Sequence, residues 1–312
     1  MRPRYVLSLD GGGSHLLIQL SVLACLEEDA GVSTYDLFDI IAGSSSGGML
    51  ACLISGRTLS ASGIIRLIQQ DKLLENMMTG HWLNRLLNTL QIRPKYSGIS
   101  KRRRLKKELG GLRLSSLDKQ VFVPCFNLDR DQLEIFTNQT KPDFLLCEIA
   151  DACTAAPAYY PPVRMEDKGW RIDGGVGMNN PGLGAYLHAR QLWPDAAIKM
   201  LSIGSGWRSF SFDGQKARRY GGMQWSAKGI ASVILREKMM ANAKLTEAVI
   251  GEHALYINEY LKHFGLPDHM DSVNDPVNQQ KALEIGRLWY DRHREEIRRW
   301  IPAQNAGHSA AA

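Results

Sequence analysis

Two strand-glycine-helix units lie within the first 56 residues, and they constrain the fold more than any other feature of the chain. The apolar run Tyr5 to Leu9 ends at Asp10-Gly11-Gly12-Gly13, after which apolar residues recur at helical spacing from Ile18 to Glu28, with Gly31 as a stop. A second apolar run, Asp36 to Ala42, ends at Gly43; Met49 to Ile54 then has helical composition and closes at Gly56. Short buried strands that pass through glycine straight into a helix imply an α/β sheet with helices on its faces.

Later segments repeat the theme more loosely. Gln120 to Phe126 and Gln132 to Phe136 read as strands joined by an Asp129-Arg130-Asp131 turn, and Ile198 to Gly204 reads as a further buried strand. A helix of small residues, Ile149 to Ala156, must stop at Pro157. Trp207 to Gln224 is a Gly-, Ser- and Arg-rich loop, helices are expected over Ser226 to Lys262 and Gln279 to Trp300, and the tail after Pro302 is low in complexity. The expected organisation is one domain over residues 1–301, with 206–301 its loop and helical C-terminal part, and a flexible tail over 302–312. A chain of 312 residues, 44% of them hydrophobic, can bury a core of that size.

The net charge of +6 favours encounter with anionic partners and says nothing of fold. Five cysteines, Cys25, Cys52, Cys125, Cys147 and Cys153, are an odd number at irregular spacing in apolar surroundings, as reduced core thiols are. Met1 to Arg4 leads into a strand rather than a signal peptide, and no apolar run approaches the roughly 18 residues needed to span a bilayer.

Gly43-Ser44-Ser45-Ser46-Gly47 matches G-x-S-x-G between a strand and a helix, the setting of a nucleophile elbow that pushes the Ser45 hydroxyl out at the sheet edge. The bland alternative is an N-capping serine turn. None of His81, His188, His253, His263, His269, His293 and His308 sits among small residues in a strand-end loop, where a partner base belongs. Asp173, at the end of Trp170-Arg171-Ile172 and before Gly174-Gly175, does, and a carboxylate there could take the serine proton directly. The alternative is a hairpin turn.

Together, "DGGG" at Asp10 to Gly13, "GSSSGG" at Gly43 to Gly48, "ACTAAPAYYPP" at Ala152 to Pro162 and "DGGVGMNNP" at Asp173 to Pro181 resemble the patatin-like phospholipases in order and context. Softer segments, "PKYSG" at Pro94 to Gly98 and "LSIGSG" at Leu201 to Gly206, extend the resemblance over about residues 4 to 206. It implies a three-layer α/β/α sandwich with a mainly parallel sheet and appended C-terminal helices. It also implies a phospholipase A type lipid acyl hydrolase, with Ser45 as nucleophile, Asp173 as base, Gly11, Gly12 and Gly13 as oxyanion hole, and neither metal nor organic cofactor. The family pattern D-G-G-G-x-R-G is broken at His15 and Leu16, which removes a charged fork and leaves the backbone donors. His15 is open to a packing or a catalytic role.

By the same resemblance, the expected partners are a phospholipid membrane surface and a cyclic-nucleotide activator, as in relatives that act in antiphage defence, with no nucleic-acid polymer. A homo-oligomer is compatible with the sequence, and the expected location is cytoplasmic, peripheral at the inner membrane when active. The loop bearing Arg208, Arg218 and Arg219, with the C-terminal helices, is where a gate would sit. The alternatives are a nucleotide- or phosphate-binding module, in which the glycines cradle a phosphate, and a catalytically weakened regulatory protein. The basic run Lys101 to Lys107 reads as a solvated helix face, and Met77-Met78 and Met239-Met240 as core.

Overall fold

A computed structural model describes residues 2–79, 93–207, 211–267, 271 and 275–300. Its sheet is built from β1 (Arg4–Leu9), β2 (Ile40–Gly43), β3 (Gln120–Asn127), β4 (Gln132–Phe136), β5 (Val163–Arg164), β6 (Trp170–Asp173), β7 (Ile198–Ile203) and β8 (Ala254–Ile257). The order is β5-β6-β3-β2-β1-β7-β8, with β4 paired to β3 off that path. The run from β3 to β8 is parallel, whereas β4 and β6 pair antiparallel with β3, and β5 antiparallel with β6. Helices flank this sheet in a three-layer α/β/α sandwich. β1 is central, so Val6, Leu7 and Leu9 are wholly buried, as expected of a parallel strand covered on both faces.

Register decides where chemistry can occur. Leu9 lies opposite Gly43 on one side and Ile203 on the other, so the chain leaves β1, β2 and β7 at one level along the carboxyl edge. That edge is where open α/β sheets hold their ligands. Ala42 faces Phe122, which puts Cys125, three residues on, level with Ser45; β6 then pairs Asp173 with Cys125. An antiparallel strand running the other way thus delivers its last residue to the serine turn.

The C-terminal helix Pro276–Trp300 packs along Leu16–Ala30. The contact is closest at Gly286, where a Cβ would stand 2.4 Å from the Ile18 carbonyl oxygen. Tyr290 Oη donates to Asp29 Oδ2 at 2.7 Å across the same interface.

The structure departs from the sequence reading in four places. Asp36 and Leu37 belong to a helical turn, Thr34–Leu37, capped by the Ser33 side chain, so the second strand begins only at Ile40. The small-residue helix is Leu146–Cys153, ending before Ala156. The helix expected over Ser226 to Lys262 is Ile230–Ile250, ended by Gly251 at φ 63°, and β8 follows it. Four residues carry too little periodicity to betray a strand that forms because β7 offers it a free edge. The loop expected over Trp207 to Gln224 contains a short helix, Gly214–Ala217, and the start of another, Gly222–Ala227. The tail 302–312 lies outside the described residues.

Candidate active site

Ser45 joins β2 to the helix Ser46–Arg57 with φ 52° and ψ −124°, a positive φ that is strained for any residue with a Cβ. Its neighbours make the turn fit: a Cβ at Gly43 would lie 2.0 Å from the Gly47 carbonyl oxygen, and one at Gly47 would lie 2.4 Å from that of Leu9. Ser45 is therefore held on a strained elbow at the start of a helix.

Its Oγ donates to Asp173 Oδ2 at 2.6 Å, and Asp173 Oδ1 accepts the Gly175 N–H at 2.8 Å. Burial pushes the Asp173 carboxyl up to about 6, against the pull of these two hydrogen bonds and of the Lys101 charge. A carboxyl poised there is ionised at neutral pH and still a useful proton acceptor.

Lys101 opens the basic run that reads as a solvated face, yet it is 1% exposed. Its Nζ donates to the Asp151 carbonyl oxygen at 2.7 Å and to Thr154 Oγ1 at 3.1 Å, pairs with Asp151 Oδ1 at 3.1 Å, and stands 4.3 Å from the Tyr160 ring centroid. Of the run's basic residues, Arg102, Arg103, Lys106 and Lys107 are exposed.

The three glycines are not equivalent. Gly11 is pinned: its N–H donates to the Asn179 carbonyl oxygen at 3.0 Å, and its own carbonyl accepts from Asn179 Nδ2 at 3.3 Å and Ser205 Oγ at 3.0 Å. Gly12 N–H meets Ser46 Oγ at 3.1 Å, and Gly13, at φ 60°, lines the cavity beside Ser45. Of the three glycines expected to form an oxyanion hole, Gly11 and Gly12 thus have their N–H groups engaged, on the Asn179 carbonyl oxygen and on Ser46 Oγ, and Gly13 lines the cavity.

Beneath the loop, Asp10 is fully buried. Oδ1 accepts from Asn180 Nδ2 and Oδ2 from the Tyr256 hydroxyl, each at 2.7 Å. Burial pushes this carboxyl up to about 8 against those two donors. His15 is also buried; its Nδ1 lies 3.2 Å from the Gly12 carbonyl oxygen and its Nε2 3.2 Å from that of Pro267. A neutral imidazole can donate to one of these and an imidazolium to both. His15 thus ties the glycine loop to the C-terminal part of the chain.

Beside Ser45 a small apolar cleft of about 50 Å³ opens between Leu16, Met49, Leu74, Met77, Met78, Tyr159 and Tyr160. Met77 and Met78, read as core, form part of its wall. Asp271 closes one side through hydrogen bonds from Lys95 and Tyr96. Apolar walls beside a serine hydroxyl suit the acyl side of an ester better than its polar side.

The family model of patatin-like phospholipases matches residues 7–186. The chain belongs to the patatin-like phospholipase family. Patatin-like protein 2 of Oryza sativa is 27% identical over 92% of the chain and 84% of its own length. A cGAMP-activated phospholipase of Pseudomonas aeruginosa is 31% identical over 65% of the chain and 63% of its own length. VipD of Legionella pneumophila shares 14% identity, covering 95% of this chain and 67% of its own, at a TM-score of 0.46, too slight a likeness to build on.

The patatin-like match ends near Tyr186, yet Ser205, Tyr256 and Pro267 all hold the glycine loop from beyond it. Sequence reasoning missed Tyr256 because its strand was read as helix, and missed Lys101 because six basic residues in seven look alike until the fold turns one inward.

Proposed function

We propose that the chain is a lipid acyl hydrolase that cleaves phospholipid acyl esters with the Ser45–Asp173 dyad. The hydrogen bond from Ser45 Oγ to Asp173 Oδ2, at the end of an apolar cleft, carries this reading. Asp173 takes the Ser45 proton as Oγ attacks the ester carbonyl. The developing oxyanion is met by the Gly12 and Gly13 N–H groups, with the Gly12 donor released from Ser46 Oγ, and by the amino end of the helix Ser46–Arg57. Collapse of the tetrahedral intermediate expels the lysolipid alcohol, which leaves with the proton from Asp173. Water, deprotonated by Asp173, then attacks the acyl-serine and frees the fatty acid, returning the proton to Oγ.

The relatives named as cGAMP-activated phospholipases support a regulated form of the same activity, silent until a cyclic nucleotide binds; we extend this to action at the cell's own inner membrane in antiphage defence. Fatty-acid release from phospholipid vesicles, measured with and without a panel of cyclic nucleotides, tests both levels. Ser45→Ala should abolish release; full activity of that variant would overturn the dyad, and equal activity with and without every nucleotide would overturn the activation.

A further inference from the structure

We propose that the outer face of residues 211–250 is a membrane-docking surface for anionic phospholipid, an inference that rests on the lipid-hydrolase reading and supplies the surface by which the enzyme reaches its substrate. The helix Ile230–Ile250 is apolar on two opposite sides. Met239, Ala243 and Ile250 are buried against the body of the protein. On the other side Ile234, Leu245 and Val249 are 50%, 52% and 55% exposed, in line with exposed Ala241. At 1.5 Å per residue this outer stripe runs for roughly 22 Å.

Met223, on the preceding helix Gly222–Ala227, is 84% exposed. Four of the ten large exposed apolar side chains among the described residues thus fall between positions 223 and 249, a concentration unlike the scattered apolar residues of an ordinary surface. On the segment that carries Met223, the rings of Phe212 and Tyr220 lie with their centroids 5.5 and 5.4 Å from that of Trp225, and its short helices bury no residue in the core.

Charge selects the occupant. Residues 211–250 carry seven Lys and Arg against three Asp and Glu, and Lys216, Arg218, Arg219 and Lys228 cluster on the aromatic segment itself. A second copy of the chain would bring the same excess of positive charge against it, whereas an anionic leaflet neutralises that charge and takes up the apolar side chains and aromatic rings at headgroup depth. The face also adjoins the site: Lys238 Nζ donates to the Val176 carbonyl oxygen at 3.1 Å, and Asn242 Nδ2 to that of Asn180 at 3.3 Å, on the loop that follows Asp173.

The test uses full-length Ser45→Ala protein, so that binding is read without turnover, and co-sedimentation with vesicles of phosphatidylcholine alone or with phosphatidylglycerol added. Strong binding only to the phosphatidylglycerol vesicles is expected. Replacing Lys216, Arg218 and Arg219 by Ser should weaken it on the order of a hundredfold, and L245E/V249E should abolish it, with both variants melting as the parent does. Undiminished binding by these variants, or equal binding to both vesicles, would overturn the surface. So would a solution dimer that L245E/V249E converts to monomer while vesicle binding persists. Because Ser45→Ala cannot turn over, binding without any hydrolysis by the wild-type chain, alone or with each cyclic nucleotide of the panel, would overturn the hydrolase reading and leave the docking surface standing.

Discussion

Ser45 and Asp173 stand 128 positions apart in the chain and 2.6 Å apart in space, one on a strained elbow and the other on the last residue of an antiparallel strand. Everything in the reaction depends on that approach. Asp173→Asn keeps the shape of the carboxyl and removes the base. Fatty-acid release should fall on the order of a thousandfold or more with the circular dichroism spectrum unchanged.

The pH dependence follows from the buried carboxyl. Asp173 acts as a base only when ionised, and burial raises it to about 6, so activity should rise with pH and level off above that value. The acid limb of kcat/KM should centre near pH 6. A limb near 4, the ordinary carboxyl range, would show that Asp173 is not the group that titrates.

Lys101 is the charge that opposes this rise. Lys101→Met should move the acid limb upward, because a cation that favours the ionised Asp173 is lost. It should also destabilise the fold by about 1–3 kcal/mol, since Asp151 loses one of its two cationic partners and keeps Arg102. Lys107→Met, at an exposed position of the same helix, should change stability by less than about 0.5 kcal/mol and leave the pH profile in place. Thermal melting and a pH series on both variants check this.

The glycine loop tolerates no side chain at its centre. A Cβ at Gly12 would lie 2.0 Å from Ser205 Oγ and 2.2 Å from Ser205 Cβ, so Gly12→Ala should displace the loop and lower kcat by about 10² to 10³-fold. At Gly111 a Cβ meets nothing within 4 Å, and Gly111→Ala should be silent in the same assay.

Tyr256→Phe removes one of the two donors to Asp10. The folded protein holds the Asp10 proton up to about pH 8 while the unfolded chain releases it near the ordinary carboxyl value, so stability from this group falls as pH rises through that window. Losing a donor to the ionised form raises the group further. The variant should therefore be destabilised by about 1–3 kcal/mol at pH 8 and by less at pH 5, as read by denaturant melts at the two values.

The first two strands and the glycine turns behind them, with the candidates Ser45 and Asp173, were legible because each is a local pattern. Apolar runs, steric freedom at glycine and a strand-turn-helix context occupy a few consecutive residues. The short β8 and the inward turn of Lys101 were not legible, because each depends on a neighbour far away: β7's free edge in one instance, Asp151 and Thr154 in the other. The pinning of Gly11 likewise needed Asn179 and Ser205 to come into contact with it.

The sequence by itself determined the family and the α/β class and pointed to Ser45 and Asp173, since local sterics and spacing suffice to write them. Only the tertiary structure decided which glycine N–H groups are already engaged, which lysine is buried near Asp173 and what walls the cleft. Those properties belong to register and to packing between distant segments, and a hydrogen bond between two residues exists only once the sheet has set the distance between them.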